Sequence, residues 1–278
     1  MFGRERIEYK STEQIRAMRR AGLVVADIHA ALRSAVAPGM TTAELDDVAA
    51  GVLADAGAAS NFLGYHGYPA NVCISVNEEV VHGIPGGRVL AQGDVVSFDC
   101  GAVVDGWHGD AAFTVVLPGG DPLDQRLAEV TEEAMWAAIA ALATGERLGV
   151  VGEAVEDTVD AYAEGAGVRL SIIQEYVGHG IGTAMHQPPD VLNYRTGERG
   201  PKLRPGMCLA VEPMIARGSR HTKVLADEWT VVTADGSRAA HAEHTVALTE
   251  DGIWVLTAPD GGETKLRSAG VKIARLQS

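Results

Sequence analysis

Residues 90–103, LAQGDVVSFDCGAV, and residues 203–216, LRPGMCLAVEPMIA, read as two copies of one unit. Aligning Gly93 with Gly206 sets Asp99 on Glu212 at the same offset. Each copy follows a related helical stretch, PGMTTAELDDVAAGVLADAG (38–57) in the first case and TGERLGVVGEAVEDTVDAYAEGAG (144–167) in the second. Beyond them GDAAFTVVL (109–117) and AEHTVALTE (242–250) bring Asp110 and Glu243 to similar places. The chain therefore reads as two related halves, about 10–118 and 119–257, each contributing two carboxylates. Helices and strands alternate without a βαβ rhythm or a phosphate loop, so the fold class is α+β rather than doubly wound.

Local signals fill in that frame. Ser11 with Gln14 forms a capping box, and Ile15, Met18, Val25, Ile28 and Leu32 recur at helical spacing over 12–35. Pro38-Gly39 stops that helix. Further helices are expected at 42–56, 122–143 and 150–164, and strands at 72–76, 95–104, 111–117, 208–215 and 245–248. Asp105-Gly106 signals a two-residue hairpin. Under that turn Val104 faces Trp107, Gly101 faces Asp110 and Asp99 faces Ala112. Asp99 and Asp110 then become diagonal neighbours on one face, about 7–8 Å apart, with room over Gly101 between them.

Four acids gathered in one place repel, each like pair at 4 Å by roughly 4 kcal/mol at an effective dielectric near 20. Two divalent cations cancel the charge of Asp99, Asp110, Glu212 and Glu243. That is the arithmetic of a two-metal hydrolase. Oxygen-rich ligation with one imidazole suits Mn, Fe or Co as readily as Zn.

The nine histidines divide unevenly. His29 sits in the first helix and carries no expected chemistry. His66, His108 and His221 read as loop or surface residues, His66 near a pocket. His241 and His244 flank Glu243, and alternation is expected to point both away from its neighbours. His82 in NEEVVHGIPGG, His179 in VGHGIG and His186 in MHQPP lie beside Gly/Pro turns, the loop setting in which chemistry concentrates.

Composition excludes several other classes. With 278 residues, 46% of them hydrophobic, the chain can bury a large core. A net charge of −14 argues against nucleic acid or an anionic membrane as main partner. The apolar run Ala134–Ala143 is half the ~20 residues of a membrane helix, and MFGRERIEYK lacks a signal-peptide core. Cys73, Cys100 and Cys208 form no CxxC and suit reduced thiols in a cytoplasmic protein. HExxH, GxSxG and GxxxxGK[ST] are all missing.

Asp99, Asp110 in HGD, His179 in GHGIG, Glu212 in EPM and Glu243 in AEHT resemble, in order and context, the five metal ligands of type I methionine aminopeptidases. NEEVVHGIPG and GYHGYPANVCISVNEE are similar to that family's substrate-side segments, and the likeness runs over about residues 10–257. The form resembled is the short bacterial one, without an N-terminal extension. The resemblance implies the pseudo-twofold "pita-bread" fold, an antiparallel sheet flanked by helices, as a single catalytic domain over 1–260 with a basic tail at 261–278.

It also implies residue roles. Asp110 and Glu243 bridge two divalent ions (Co, Mn, Fe or Zn), His179 and Glu212 complete one site, and Asp99 holds the other. His82 and His186 contact the scissile amide, and Glu212 shuttles the proton. Tyr65, Tyr68, Cys73, Met185 and Trp229 match the pocket for the methionine side chain. Met185 stands where relatives often have an aromatic residue, Phe62 where some have cysteine, and Gly101 where threonine is common. The implied activity is hydroxide attack on the first peptide bond, releasing the initiator methionine of nascent polypeptides whose second residue is small. By that rule the Met1-Phe2 start of this chain keeps its methionine. The implied state is a cytoplasmic monomer. A frayed 257–278 segment is expected, with a ribosome contact through Lys265, Arg267, Lys272 and Arg275 as the other reading. Xaa-Pro aminopeptidases or prolidases of the same fold, and a non-catalytic binding module, are the alternatives.

Overall fold

The computed structural model describes residues 6–274; Met1-Phe2 and Arg275 lie outside the described residues. Helix α1 (Thr12–Ala35) starts at the expected capping box, with Ser11 N–H donating to Gln14 Oε1 at 2.8 Å. Helix α2 (Thr42–Asp55) has a second box, Thr41 with Glu44. Helix α3 (Pro122–Thr144) is capped by Asp121 with Pro122 in its first turn, where a missing N–H is harmless. Helix α4 (Val150–Ala166) ends at Gly167, whose φ of 63° suits a left-handed cap. All four lie close to their expected spans.

Nine strands form one antiparallel sheet. Its central path runs from Ala59–Ser60 through Val95–Val104, Trp107–Val116, Glu243–Thr249, Cys208–Val211 and Gly178–Gly180 to Gln187–Val191. Val72–Val76 pairs with Val95–Val104, and Gly252–Val255 with Glu243–Thr249. The two halves join where Trp107–Val116 meets Glu243–Thr249. Each half packs a helix pair on the sheet. Val25, Ile28, Leu32, Leu45 and Leu53 of α1 and α2 meet Ile74, Phe98 and Phe113. Leu127, Ile139, Leu142, Val155 and Val159 of α3 and α4 meet Leu209, Val211 and Val246. Each such fully buried side chain contributes about 1.5–3 kcal/mol, so the sheet is clamped from its helical side while its other face carries the polar groups.

The hairpin register is the expected one: Val104 opposes Trp107, Gly101 opposes Asp110 and Asp99 opposes Ala112. Three local expectations need correction. The second hairpin strand begins at Trp107, so His108 is a strand residue and not a loop one. The run 208–215 splits into Cys208–Val211 and Met214–Ala216 around Pro213, which has no N–H for the ladder. Residues 261–274 are packed and not frayed: Leu266 is buried, Lys265 pairs with Glu132 at 2.9 Å, and Ala274 N–H donates to Ile253 O at 2.8 Å.

Candidate active site

The sheet register assembles the acids. Directly paired strand residues project to the same face, and Cys73, Asp99, Ala112 and Glu243 occupy one continuous rung across four strands. Asp110, two residues from Ala112, shares that face. His244 lies on the next rung, opposite Ala111, and turns to the helical side against the Trp136 ring at 5.0 Å. Glu212 follows the end of Cys208–Val211 just before the Pro213 break.

His179 sits on the short strand Gly178–Gly180, not in a loop. Its neighbours must be glycine because the chain is crowded there: a Cβ on Gly180 would lie 2.3 Å from Pro188 O, and one on Gly178 2.3 Å from Ala210 O. The His179 Nδ1–H donates to Gly180 O at 2.9 Å, which leaves Nε2 as the free nitrogen, 3.4 Å from Glu212 Oε1.

The ligand atoms of Asp110, His179 and Glu243 lie within 4.8 Å of one another, and so do those of Glu212, His241 and Glu243. Asp99 Oδ1, Asp110 Oδ1, Glu243 Oε1 and His241 Nε2 are buried with no hydrogen-bond partner among the described residues. Burial raises the Asp99 pKa to about 7. It also pushes Asp110, Glu212 and Glu243 well above the usual carboxylate range, and the neighbouring carboxylates push the same way. His179 and His241 are held neutral, with pKa values of about 3, chiefly by burial. Orphaned oxygens, a neutral imidazole and close-set acids make a donor set that fits divalent cations.

Asp99, Asp110, His179, Glu212 and Glu243 form the floor of a cavity of about 270 Å³. Its walls bring together the expected substrate-side residues Tyr65, Tyr68, Cys73, His82, Met185, His186 and Trp229, with Phe62 and His66 beside them. Phe62, Tyr68, Cys73 and Met185 are buried and make a small apolar cluster of their own. The Tyr68 ring meets Trp229 edge-to-face at 5.1 Å, and its hydroxyl donates to Gly83 O at 2.9 Å. His82 closes the side next to Trp229, in a left-handed conformation with φ of 60° that a non-glycine residue adopts only under constraint. Burial lowers its pKa to about 4. His186 Nδ1 shares a 2.9 Å hydrogen bond with the Tyr65 hydroxyl, and its ring lies 4.3 Å from that of His179.

Two residues escaped the sequence reading. His241 does not turn away from Glu243. It closes the strand Ala239–His241, in a different sheet from Glu243–Thr249, and the break at Ala242 leaves its Nε2 3.8 Å from Glu212 Oε2. The place over Gly101 is not open either. A Cβ there would lie 2.2 Å from Asn61 Nδ2, so the Asn61 carboxamide fills it.

An acidic, imidazole-bearing metal centre under an apolar pocket is the apparatus of a metallopeptidase. Residues 16–250 match the model of metallopeptidase family M24, and the chain belongs to that family. It is 49% identical over 256 residues to methionine aminopeptidase 1 of Mycobacterium tuberculosis, spanning 92% of this chain and 96% of that protein. It is 44% identical over 248 residues to methionine aminopeptidase 1 of Bacillus subtilis, spanning 89% and 98%. The structure superposes on a methionine aminopeptidase from Thermotoga maritima with a TM-score of 0.86 at 40% identity, over 91% of this chain and 99% of that one. A prolidase from Pyrococcus furiosus, at 19% identity and a TM-score of 0.69, shares the fold.

Proposed function

We propose that this chain is a methionine aminopeptidase that removes the N-terminal methionine from newly made polypeptides with a small second residue. The observation that supports it best is the juxtaposition, in one cavity of about 270 Å³, of an apolar wall and a floor of orphaned acids. An unbranched thioether suits the wall of Phe62, Tyr68, Cys73, Met185 and Trp229, and seating it leaves the first peptide bond over the floor.

On this reading Asp99, Asp110, His179, Glu212 and Glu243 would hold two divalent ions. Glu243 belongs to both close-set groups of ligand atoms, which supports its place at the centre of the site. Bound there, divalent ions supply an acidified water and stabilisation of charge on the carbonyl oxygen. The Glu212 carboxylate accepts the proton of the attacking water and passes it on to the departing amine. His186, with Nδ1 engaged by Tyr65, presents Nε2 to the scissile amide, and His82 positions the amide from the other side. Tyr68 and Trp229 exclude water from the methionine side chain. No helix among the described residues is long and apolar enough to cross a membrane.

The test is hydrolysis of Met-Ala-Ser, Met-Phe-Ser and Ala-Pro after chelation and re-addition of Mn(II), Fe(II), Co(II) or Zn(II) in turn. Metal-dependent release of methionine from Met-Ala-Ser alone is expected. Cleavage of Ala-Pro in preference, or full activity of the chelated protein, overturns the proposal.

A further inference from the structure

Gly101 faces Asp110 across the hairpin, yet nothing in its backbone calls for glycine: it lies inside the Val95–Val104 strand and is not among the residues with positive φ. Space calls for it. A Cβ at this position would lie 2.2 Å from Nδ2 and 2.5 Å from Cγ of Asn61. Asn61 is 6% exposed, and its carboxamide is oriented from two directions. Its Nδ2 donates to Gly109 O at 3.0 Å, and its Oδ1 accepts from His108 Nδ1 at 2.9 Å. With oxygen bound to the imidazole N–H and nitrogen to a carbonyl, the amide has only one self-consistent orientation. The NH2 group is thereby held over Gly101, the residue directly opposite Asp110 on the neighbouring strand.

We infer that Asn61 and Gly101 work as a matched pair, in which the Asn61 amide, seated in the notch left by Gly101 and oriented by His108, is the positioning residue for the Asp110 carboxylate. The inference rests on the assignment of Asp110 as a metal ligand. Groups that orient a ligand typically change metal affinity by about 10–100-fold when removed. The pair also explains why a strand otherwise rich in branched and aromatic residues tolerates glycine opposite its metal-binding partner.

Four variants decide the matter: Asn61→Ala, Asn61→Leu, Gly101→Thr, and Asn61→Ala combined with Gly101→Thr. Each is stripped of metal, checked for folding by its melting temperature and circular dichroism, and titrated calorimetrically with Mn(II) and Co(II). The Co(II) d–d absorption is recorded alongside kcat and KM on Met-Ala-Ser. Asn61→Ala is expected to weaken divalent binding about tenfold or more, alter the Co(II) spectrum and lower kcat with KM nearly unchanged. Asn61→Leu keeps about the same size and removes the amide without adding charge, so it is expected to bind metal at least as poorly as Asn61→Ala. Gly101→Thr alone collides with Asn61 and weakens binding. The double variant opens the notch and returns a hydroxyl beside Asp110, recovering affinity to within about threefold of the parent.

Unchanged metal affinity and Co(II) spectrum in Asn61→Ala overturn the inference. So does parental affinity in Asn61→Leu, which would mean that Asn61 only fills space. Failure of the double variant to recover also overturns it. If the parent protein itself binds no divalent ion, it is the metal-centre reading that fails, and the titration of the parent shows this before any variant is made.

Discussion

Thr245 holds the peptide of Asp110 from both sides: its hydroxyl donates to Asp110 O at 2.7 Å and accepts from Asp110 N–H at 3.1 Å. Asp110 belongs to the first half of the chain and Thr245 to the second, and Thr245 is completely buried. One side chain thus fixes a buried acid of one half against the strand that carries the corresponding acid, Glu243, of the other.

Replacing Thr245 by Val keeps the shape and leaves two buried backbone groups unpaired, at about 1–3 kcal/mol for each. At about 2–4 °C per kcal/mol for a chain of this size, the metal-free protein should melt several degrees lower. Divalent affinity should fall with it, because the Asp110 carboxylate loses its anchor. Thr245→Ser, which retains the hydroxyl, should recover most of both. Scanning calorimetry with a Mn(II) titration checks the pair, and an unaffected Thr245→Val protein would show the clamp to be idle.

The acids also tie metal binding to pH. Asp99 titrates near pH 7 in the metal-free protein, and Asp110, Glu212 and Glu243 are raised well above their usual range, with burial the leading cause in each. Carboxyls raised on folding hold more protons folded than unfolded, so their contribution to stability falls as pH climbs from the usual value near 4 through about 7. A divalent ion displaces those protons and removes the penalty. His179 and His241, already neutral with pKa values of about 3, have none to release near neutrality. The melting-temperature gain from Mn(II) should therefore widen from about pH 5.5 to pH 8. Calorimetry in buffers of different ionisation enthalpy should show net proton release, larger at the acid end. Binding heats independent of the buffer would contradict this picture.

The part of the site legible in the sequence is the part that strand periodicity controls. The Asp105-Gly106 turn, with φ of 50° and 78°, fixes the hairpin register, and from it follow the positions of Asp99, Gly101 and Asp110. The repeat carries that logic to Glu212 and Glu243. His241 was not legible by alternation, because it closes Ala239–His241 while Glu243 opens a strand of another sheet and no periodicity runs through Ala242. Asn61 was not legible at all. It lies on the segment after a two-residue edge strand, and its contact with Gly101 exists only once that segment folds over the hairpin. The packed course of residues 261–274 was hidden for a related reason, because a bridge such as Ile253 to Ile273 leaves no periodic signal in a short run.

Gly180 marks a place where packing alone fixes the neighbouring His179. A methyl group there would lie 2.3 Å from Pro188 O and 2.8 Å from Pro188 C, backbone atoms that cannot yield without moving the strand. Gly180→Ala should therefore shift His179, whose Nδ1–H depends on Gly180 O. The expected result is a stability loss of about 1–3 kcal/mol from overpacking together with weakened metal binding, measured by denaturant melts and Co(II) absorption. Gly57→Ala, at a helix end with open space around its Cβ, serves as the control; it is strained by its φ of 61° but should leave the Co(II) spectrum unchanged.

His186 offers the cleanest separation of chemistry from binding. The Tyr65 hydroxyl holds its Nδ1 at 2.9 Å, while the ring stands 4.3 Å from His179 with no direct claim on a metal-facing atom. Tyr65→Phe removes that single hydrogen bond and keeps the aromatic wall. A neutral hydrogen bond contributes about 0.5–1.5 kcal/mol, so if it serves to aim His186 Nε2 at the scissile amide, kcat should fall roughly 2- to 12-fold. KM for Met-Ala-Ser and the calorimetric affinity for Mn(II) should both stay near the parent values. His186→Ala should lower kcat further, and adding Tyr65→Phe to it should change little more, because the hydroxyl then has no imidazole to hold. Full additivity of the two substitutions would instead place Tyr65 in direct contact with the substrate, and a loss of metal affinity in Tyr65→Phe would place it among the groups that shape the metal centre.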